Sequence, residues 1–149
     1  MLYEQLSGNS VFFKRKEWGN GLLMMTNPST YRVVYVEPGK PACVKEIGTE
    51  LHDIQDAVGG GLFECVYPHD DRTVLVCNDE GKLLGMEGNR RLDTGSIIAG
   101  PFFVIGDAGE NFRSLTDAEV EKYLQKYAEP EIIPQHEVQQ DIGWIFYSF

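Results

Sequence analysis

The chain has 149 residues, a net charge of −10 and 42% hydrophobic against 24% charged residues, with eight Phe, seven Tyr and two Trp. That composition excludes a disordered chain, and the length corresponds to one domain able to bury a core without staples. No apolar run approaches the roughly 20 residues that a bilayer requires, so no membrane span is expected.

The charge is unevenly spread. Residues 1–50 carry six Lys or Arg against five acids, whereas residues 51–149 carry seven against eighteen. Such a field repels phosphate backbones, so direct nucleic-acid binding is not expected. The first residues place their charges after their apolar residues, the reverse of a secretory signal, and the three cysteines are an odd number. Both features give the expectation of a cytoplasmic protein.

Residues 1–30 hold two short apolar runs, Val11-Phe12-Phe13 and Leu22-Leu23-Met24-Met25, readable as strands on either side of a basic turn. Residues 31–36 alternate into a strand that ends at Glu37-Pro38-Gly39-Lys40. Proline followed by glycine is the type II turn signature, so residues 42–47 should return as its hairpin partner. Thr49 is the expected cap of a short helix whose apolar positions Leu51, Ile54 and Val58 share a face. Gly59-Gly60-Gly61 ends that helix, with Gly59 at the left-handed position, and residues 62–67 follow as a strand.

The stretch from Thr73 to Asp107 reads as the middle of an antiparallel sheet. Residues 73–77 form a β-branched run, Asn78-Asp79-Glu80-Gly81 a turn cluster, and residues 82–86 a return strand. Glu87-Gly88-Asn89 should turn the chain again, and residues 97–105, the longest apolar run, should form a strand buried on both faces. Thr116 and Glu119 form a capping box, with Leu115 and Val120 as its hydrophobic staple. That predicts a helix with Val120, Tyr123, Leu124 and Tyr127 on its apolar face, stopped at Glu129-Pro130. Residues 132–141 read as irregular, and residues 142–149 as an aromatic terminal strand. The fold class is therefore α+β, a single domain over residues 1–149. Its antiparallel or mixed sheet has about five to seven strands, with two helices on one face.

Candidate chemistry is sparse. Asn89, Arg90 and Arg91 on a glycine-flanked turn, with Lys82 one hairpin away, form the most tempting cluster, since paired arginines can hold a phosphate or carboxylate bidentately. The alternative is that the arginines pair with Asp93, Glu87 or Asp79. Cys43, Cys65, Cys77, His52 and His69 lack the spacing of an organised metal site, so no metal or other cofactor is expected. His69-Asp70-Asp71 could supply a base, yet the residues are those turns use anyway. No nucleophile elbow is present, and the residues lean away from an enzyme. Five carboxylates, Glu110, Asp117, Glu121, Glu129 and Glu131, could present an acidic surface to a basic protein. Asp117 and Glu121 lie four apart and so share a helix face.

VVYVEPGKPACVKEI, the helix ending in VGGG, TVLVCNDEGKLLGMEGNRRL, IIAGPFFVIGDA and SLTDAEVEKYL together resemble the family of domain of unknown function 3846. The resemblance covers about residues 31–128, leaving residues 1–30 and 129–149 as extensions. It implies an accessory protein of phages, plasmids and conjugative elements of Gram-positive bacteria, which would make the basic partner a host protein, and supplies no activity, substrate or functional residue.

Overall fold

The computed structural model describes the backbone of residues 29–147 and the side chains of residues 29–142. The strands expected at Val11-Phe12-Phe13 and Leu22-Leu23-Met24-Met25 lie outside those residues. Strands β1 (Thr30–Val36) and β2 (Cys43–Gly48) form the hairpin expected at Pro38-Gly39, with Thr30 opposite Gly48 and Tyr35 opposite Cys43. The Lys40 amide donates to the Glu37 carbonyl at 3.2 Å, and Gly39 takes φ +77°, a conformation that favours glycine.

Helix α1 (Leu51–Ala57) follows, and β3 (Phe63–Val66), β4 (Thr73–Asn78), β7 (Phe102–Asp107) and the short β8 (Phe112–Arg113) complete a six-stranded sheet. Its order is β2-β1-β7-β4-β3, with β8 paired to the end of β7, and all of the pairings described are antiparallel. A second sheet joins β5 (Gly88–Arg91) to β6 (Ile97–Ala99). The fold class is α+β, as the residue pattern predicts.

Both faces of the central strands are apolar, and each face therefore needs a cover. On one face Val33, Tyr35, Val74, Val76, Phe103 and Ile105 pack with Ile54, Ala57 and Val58 of α1. On the other, Val34, Val36, Leu75, Cys77, Phe102 and Val104 pack with Leu115, Leu92, Ile98, and Tyr123 and Tyr127. Tyr123 belongs to α2 (Asp117–Lys126), and Tyr127 caps that helix. The helices thus lie on opposite faces of the sheet, where one shared face is expected from the sequence.

α2 begins as the capping box requires. The Glu119 amide donates to Thr116 Oγ1 at 3.2 Å, and the Thr116 amide donates to Glu119 Oε1 at 2.9 Å. α1 starts one residue later than expected, at Glu50, whose amide donates to Asp53 Oδ2 at 3.1 Å. Leu51 is 64% exposed, so the helix buries Ile54, Ala57 and Val58 instead.

Several boundaries differ from the sequence pattern. Residues 82–86 are not a strand returning along β4, because β3 and β7 already occupy both edges of β4. They coil instead: the Leu84 amide donates to the Glu80 carbonyl at 2.9 Å and the Met86 amide to Gly81 at 2.9 Å. Gly88 and Asn89 belong to a strand, and the turn lies at Asp93-Thr94-Gly95-Ser96, where Gly95 takes φ +95°. Residues 97–105 are split at Gly100-Pro101 into β6 and β7.

From Gln135 to Tyr147 the expected irregular segment and terminal strand are instead one helix, α3 (Gln135–Tyr147), while residues 132–134 stay irregular. The Pro134 carbonyl accepts the Glu137 amide at 3.0 Å, and Ile133 and Val138 anchor the helix against Ile97 and Ala99. Proline preceding the first turn is compatible with helix initiation, and Gln and Glu are good helix formers. α3 passes so close to β5 that a Cβ at Gly88 would sit 2.9 Å from Ile133 Cβ and 3.0 Å from Val138 Cγ2.

Candidate interaction surface

Of the four residues of the candidate anion site, Asn89 and Arg90 are buried together, whereas Arg91 and Lys82 turn to the C-terminal segment. Arg90 points inward and Arg91 outward, as alternation on a strand requires, and a register shift between Gly88 and Arg90 lets Asn89 be buried beside Arg90. The Arg90 side chain donates from Nη2 to the carbonyls of Lys40 (2.8 Å) and Tyr127 (2.9 Å), and from Nη1 to Asn89 O (3.1 Å) and Oδ1 (2.9 Å). Asn89 is fully buried and donates from Nδ2 to Val36 O (3.0 Å) and Gly100 O (2.8 Å). Arg91 pairs with Glu137 of α3, and its amide donates to Glu131 Oε1 at 3.1 Å; Lys82 pairs with Asp141. These partners come from the C-terminal segment and not from Asp93, Glu87 or Asp79. Burial lowers the Arg90 pKa, which Glu131 partly counters, and the guanidinium serves as an internal brace.

His69-Asp70-Asp71 leads into a polar cluster that sequence reasoning did not assemble. Asp71 Oδ1 accepts from the Thr73 hydroxyl and amide, while Asp71 Oδ2 accepts from Lys122 Nζ at 2.8 Å and from the Tyr123 hydroxyl. His69 Nε2 lies 2.9 Å from the Tyr127 hydroxyl and Nδ1 3.3 Å from Thr73 Oγ1, with its ring 4.4 Å from that of Tyr123. Because Thr73 gives its proton to Asp71, Nδ1–H must be the donor to Thr73, which leaves Nε2 to accept from Tyr127. Both ring nitrogens are engaged, and the cluster clamps the turn before β4 onto α2. Burial lowers the His69 pKa. Burial works to raise that of Asp71, but the hydrogen bonds from Lys122, Thr73 and Tyr123 outweigh it and hold the carboxyl well below the usual range. The signal available in the sequence was the pair Tyr123 and Tyr127, whose buried hydroxyls require partners.

The cysteines are free: Cys43 is exposed, Cys65 half-buried and Cys77 buried, its thiol pushed up to about 12 by burial. Cys65 and Cys77 pack on opposite faces of the sheet. Among the described residues no cluster of His, Cys, Asp and Glu is placed to hold a metal ion.

At the surface, most of the described cations are committed to internal pairs, Lys45 and Arg72 excepted. Arg32 binds Asp117 (2.7 Å), Lys40 binds Glu37 (2.9 Å), Lys126 binds Asp93 (3.3 Å), and Arg113 holds Glu119 through two bonds of 2.8 and 3.0 Å. Of the five candidate acids, Asp117 is exposed yet paired with Arg32, and Glu131 is half-buried against the Arg91 amide. Glu110, Glu121 and Glu129 are exposed and carry no ion pair among the described residues. Lys122 and Lys126, the cations of α2, reach Asp71 and Asp93 and leave Glu121 unneutralised. No described helix is long and apolar enough to cross a membrane.

The profile of a family described as a domain of unknown function (DUF3846) matches residues 31–128. That span runs from β1 past the end of α2, so it contains the six-stranded sheet, both of its covers and the Arg90 brace, and stops before α3. No curated protein and no solved structure matches the chain. With about two-thirds of its length inside the match, the chain belongs to the DUF3846 family.

Proposed function

We propose that this domain is a non-catalytic accessory protein of a mobile element that binds a basic host protein through its surplus carboxylates. The observation that carries the reading is the pairing of Arg32, Lys40, Lys82, Arg91, Arg113, Lys122 and Lys126 with carboxylates of the same chain. With those cations committed, the excess of acids is left at the surface, where Glu110, Glu121 and Glu129 are exposed. The groups most suited to catalysis, His69 and Asp71, have their hydrogen-bonding capacity consumed within the fold. A field of this kind repels nucleic acid and attracts proteins that bind it.

The test is retention of host proteins on the immobilised full chain at low and high salt. The expected result is a basic nucleic-acid-binding protein held at about 50 mM salt and released at about 500 mM, since surface charges act within a Debye length of about 10 Å at 0.1 M. Retention of no such protein at low salt rejects the reading.

A further inference from the structure

Three leucines project from one end of the sheet: Leu62 is 63% exposed, Leu83 61% and Leu84 62%. They sit on two loops that touch. The Asp79 amide donates to the Leu62 carbonyl at 3.0 Å, and a Cβ at Gly59 would lie 3.0 Å from Met86 Cε. Buried Asn78 ties the loops together, donating from Nδ2 to Val58 O (3.0 Å) and Gly60 O (2.7 Å) while Oδ1 accepts from the Glu80 amide (2.9 Å). The leucines are therefore displayed on a braced surface, and the coil of residues 80–86 holds Leu83 and Leu84 outward in place of the strand that would have buried one of them.

The surroundings are acidic. Glu64, Asp79, Glu80 and Glu87 are all exposed on the two loops and the edge strand that carry or adjoin the leucines, and Asp56 is exposed at the end of α1 just before them. Lys82, the one cation of these segments, is held by Asp141. Apolar side chains ringed by charges of one sign mark a protein interaction site. A second copy of the chain would bring the same carboxylates against themselves at a net charge of −10 each, which disfavours a homodimer through this end.

We infer that the Leu62, Leu83 and Leu84 end docks a cationic protein segment that carries apolar side chains on one face and lysine or arginine on its rim. This rests on the acidic-surface reading above and gives it a location.

The test uses the full chain and two labelled peptides of equal length, one with leucine and lysine on opposite helix faces and one of lysine alone, measured by fluorescence anisotropy. The leucine–lysine peptide is expected to bind about tenfold tighter than oligolysine. Leu83→Gln with Leu84→Gln should remove that advantage, whereas Ile132→Gln, at a residue 96% exposed elsewhere, should leave it intact. Circular dichroism of each variant checks that the fold persists. Unchanged affinity in the Leu83/Leu84 variant overturns the docking end, and the broader reading still stands if oligolysine binds and is released by salt. Failure of oligolysine to bind at low salt overturns both.

Discussion

Asn89 and Arg90, adjacent on β5, are hydrogen-bonded to each other inside the protein, Arg90 Nη1 donating to Asn89 Oδ1 at 2.9 Å. Between them they reach four other segments: the end of β1 at Val36, the hairpin turn at Lys40, the link between β6 and β7 at Gly100, and the C-terminal carbonyl of α2 at Tyr127. The last contact sets a cation against the negative end of a helix dipole, where positive charge is favoured. The pair pins β5 to the main sheet and to α2 by hydrogen bonds, alongside the packing of Leu92 and Ile98 on the sheet's core.

Replacing Arg90 by Ala should cost about 3–5 kcal/mol, because it strands buried carbonyls and empties a side-chain volume that is 1% exposed. Arg90→Lys should recover only part of that loss, since a single ammonium cannot reproduce a planar fork serving two directions. Urea denaturation of the two variants checks both statements, and equal stability of Arg90→Lys and the native chain contradicts them.

Acid should loosen the clamp in two stages. The folded-state pKa of His69 lies below its ordinary value of about 6.5, so the stability it contributes is complete above that value and declines as pH falls through it. Asp71 also has a lowered folded-state pKa, so its contribution is held above about 3.9 and is lost below. Thermal melts between pH 8 and 3 should show the first decline in the native chain and its absence in His69→Gln.

The N-terminus of α2 rests on Thr116 and on Glu119, which also receives both arms of Arg113. Thr116→Ala should destabilise by about 1 kcal/mol. Glu119→Ala should cost more, about 2–3 kcal/mol, because it removes the reciprocal cap and leaves a half-buried arginine without its partner. A double-mutant cycle with Arg113→Ala, read by chemical denaturation, should give a coupling well above that of an exposed ion pair.

Gly88→Ala tests the seat of α3. A methyl group there meets Ile133 and Val138 at 2.9–3.1 Å, so the helix must shift or the sheet must give. The expected loss is about 1–3 kcal/mol with raised hydrogen exchange in residues 133–142, while exchange in the central strands changes little.

The elements legible in the sequence were those whose determinants are local. Pro38-Gly39 specified its own turn, and Thr116 with Glu119 its own cap. Leu83 and Leu84 resemble a buried strand, but both edges of β4 are taken by β3 and β7, a long-range pairing that no local pattern announces. α3 was hidden by Pro130 and Pro134 and by an aromatic tail with strand-like composition. The brace and the clamp were illegible for a different reason: Arg90 meets carbonyls 50 and 37 residues away, and His69 meets Tyr127 at a separation of 58. Composition did identify the acidic excess, but only the structure pairs Asp117 with Arg32 and leaves Glu121 without an ion-pair partner among the described residues.

The most direct measurement is the association rate of the full chain with the basic protein it captures, followed from about 50 to about 500 mM salt. Electrostatic recognition predicts a fall of at least about tenfold across that range, a further fall in the combined Glu110→Gln, Glu121→Gln and Glu129→Gln variant, and little change in the dissociation rate. An association rate indifferent to salt and to those three substitutions contradicts the account.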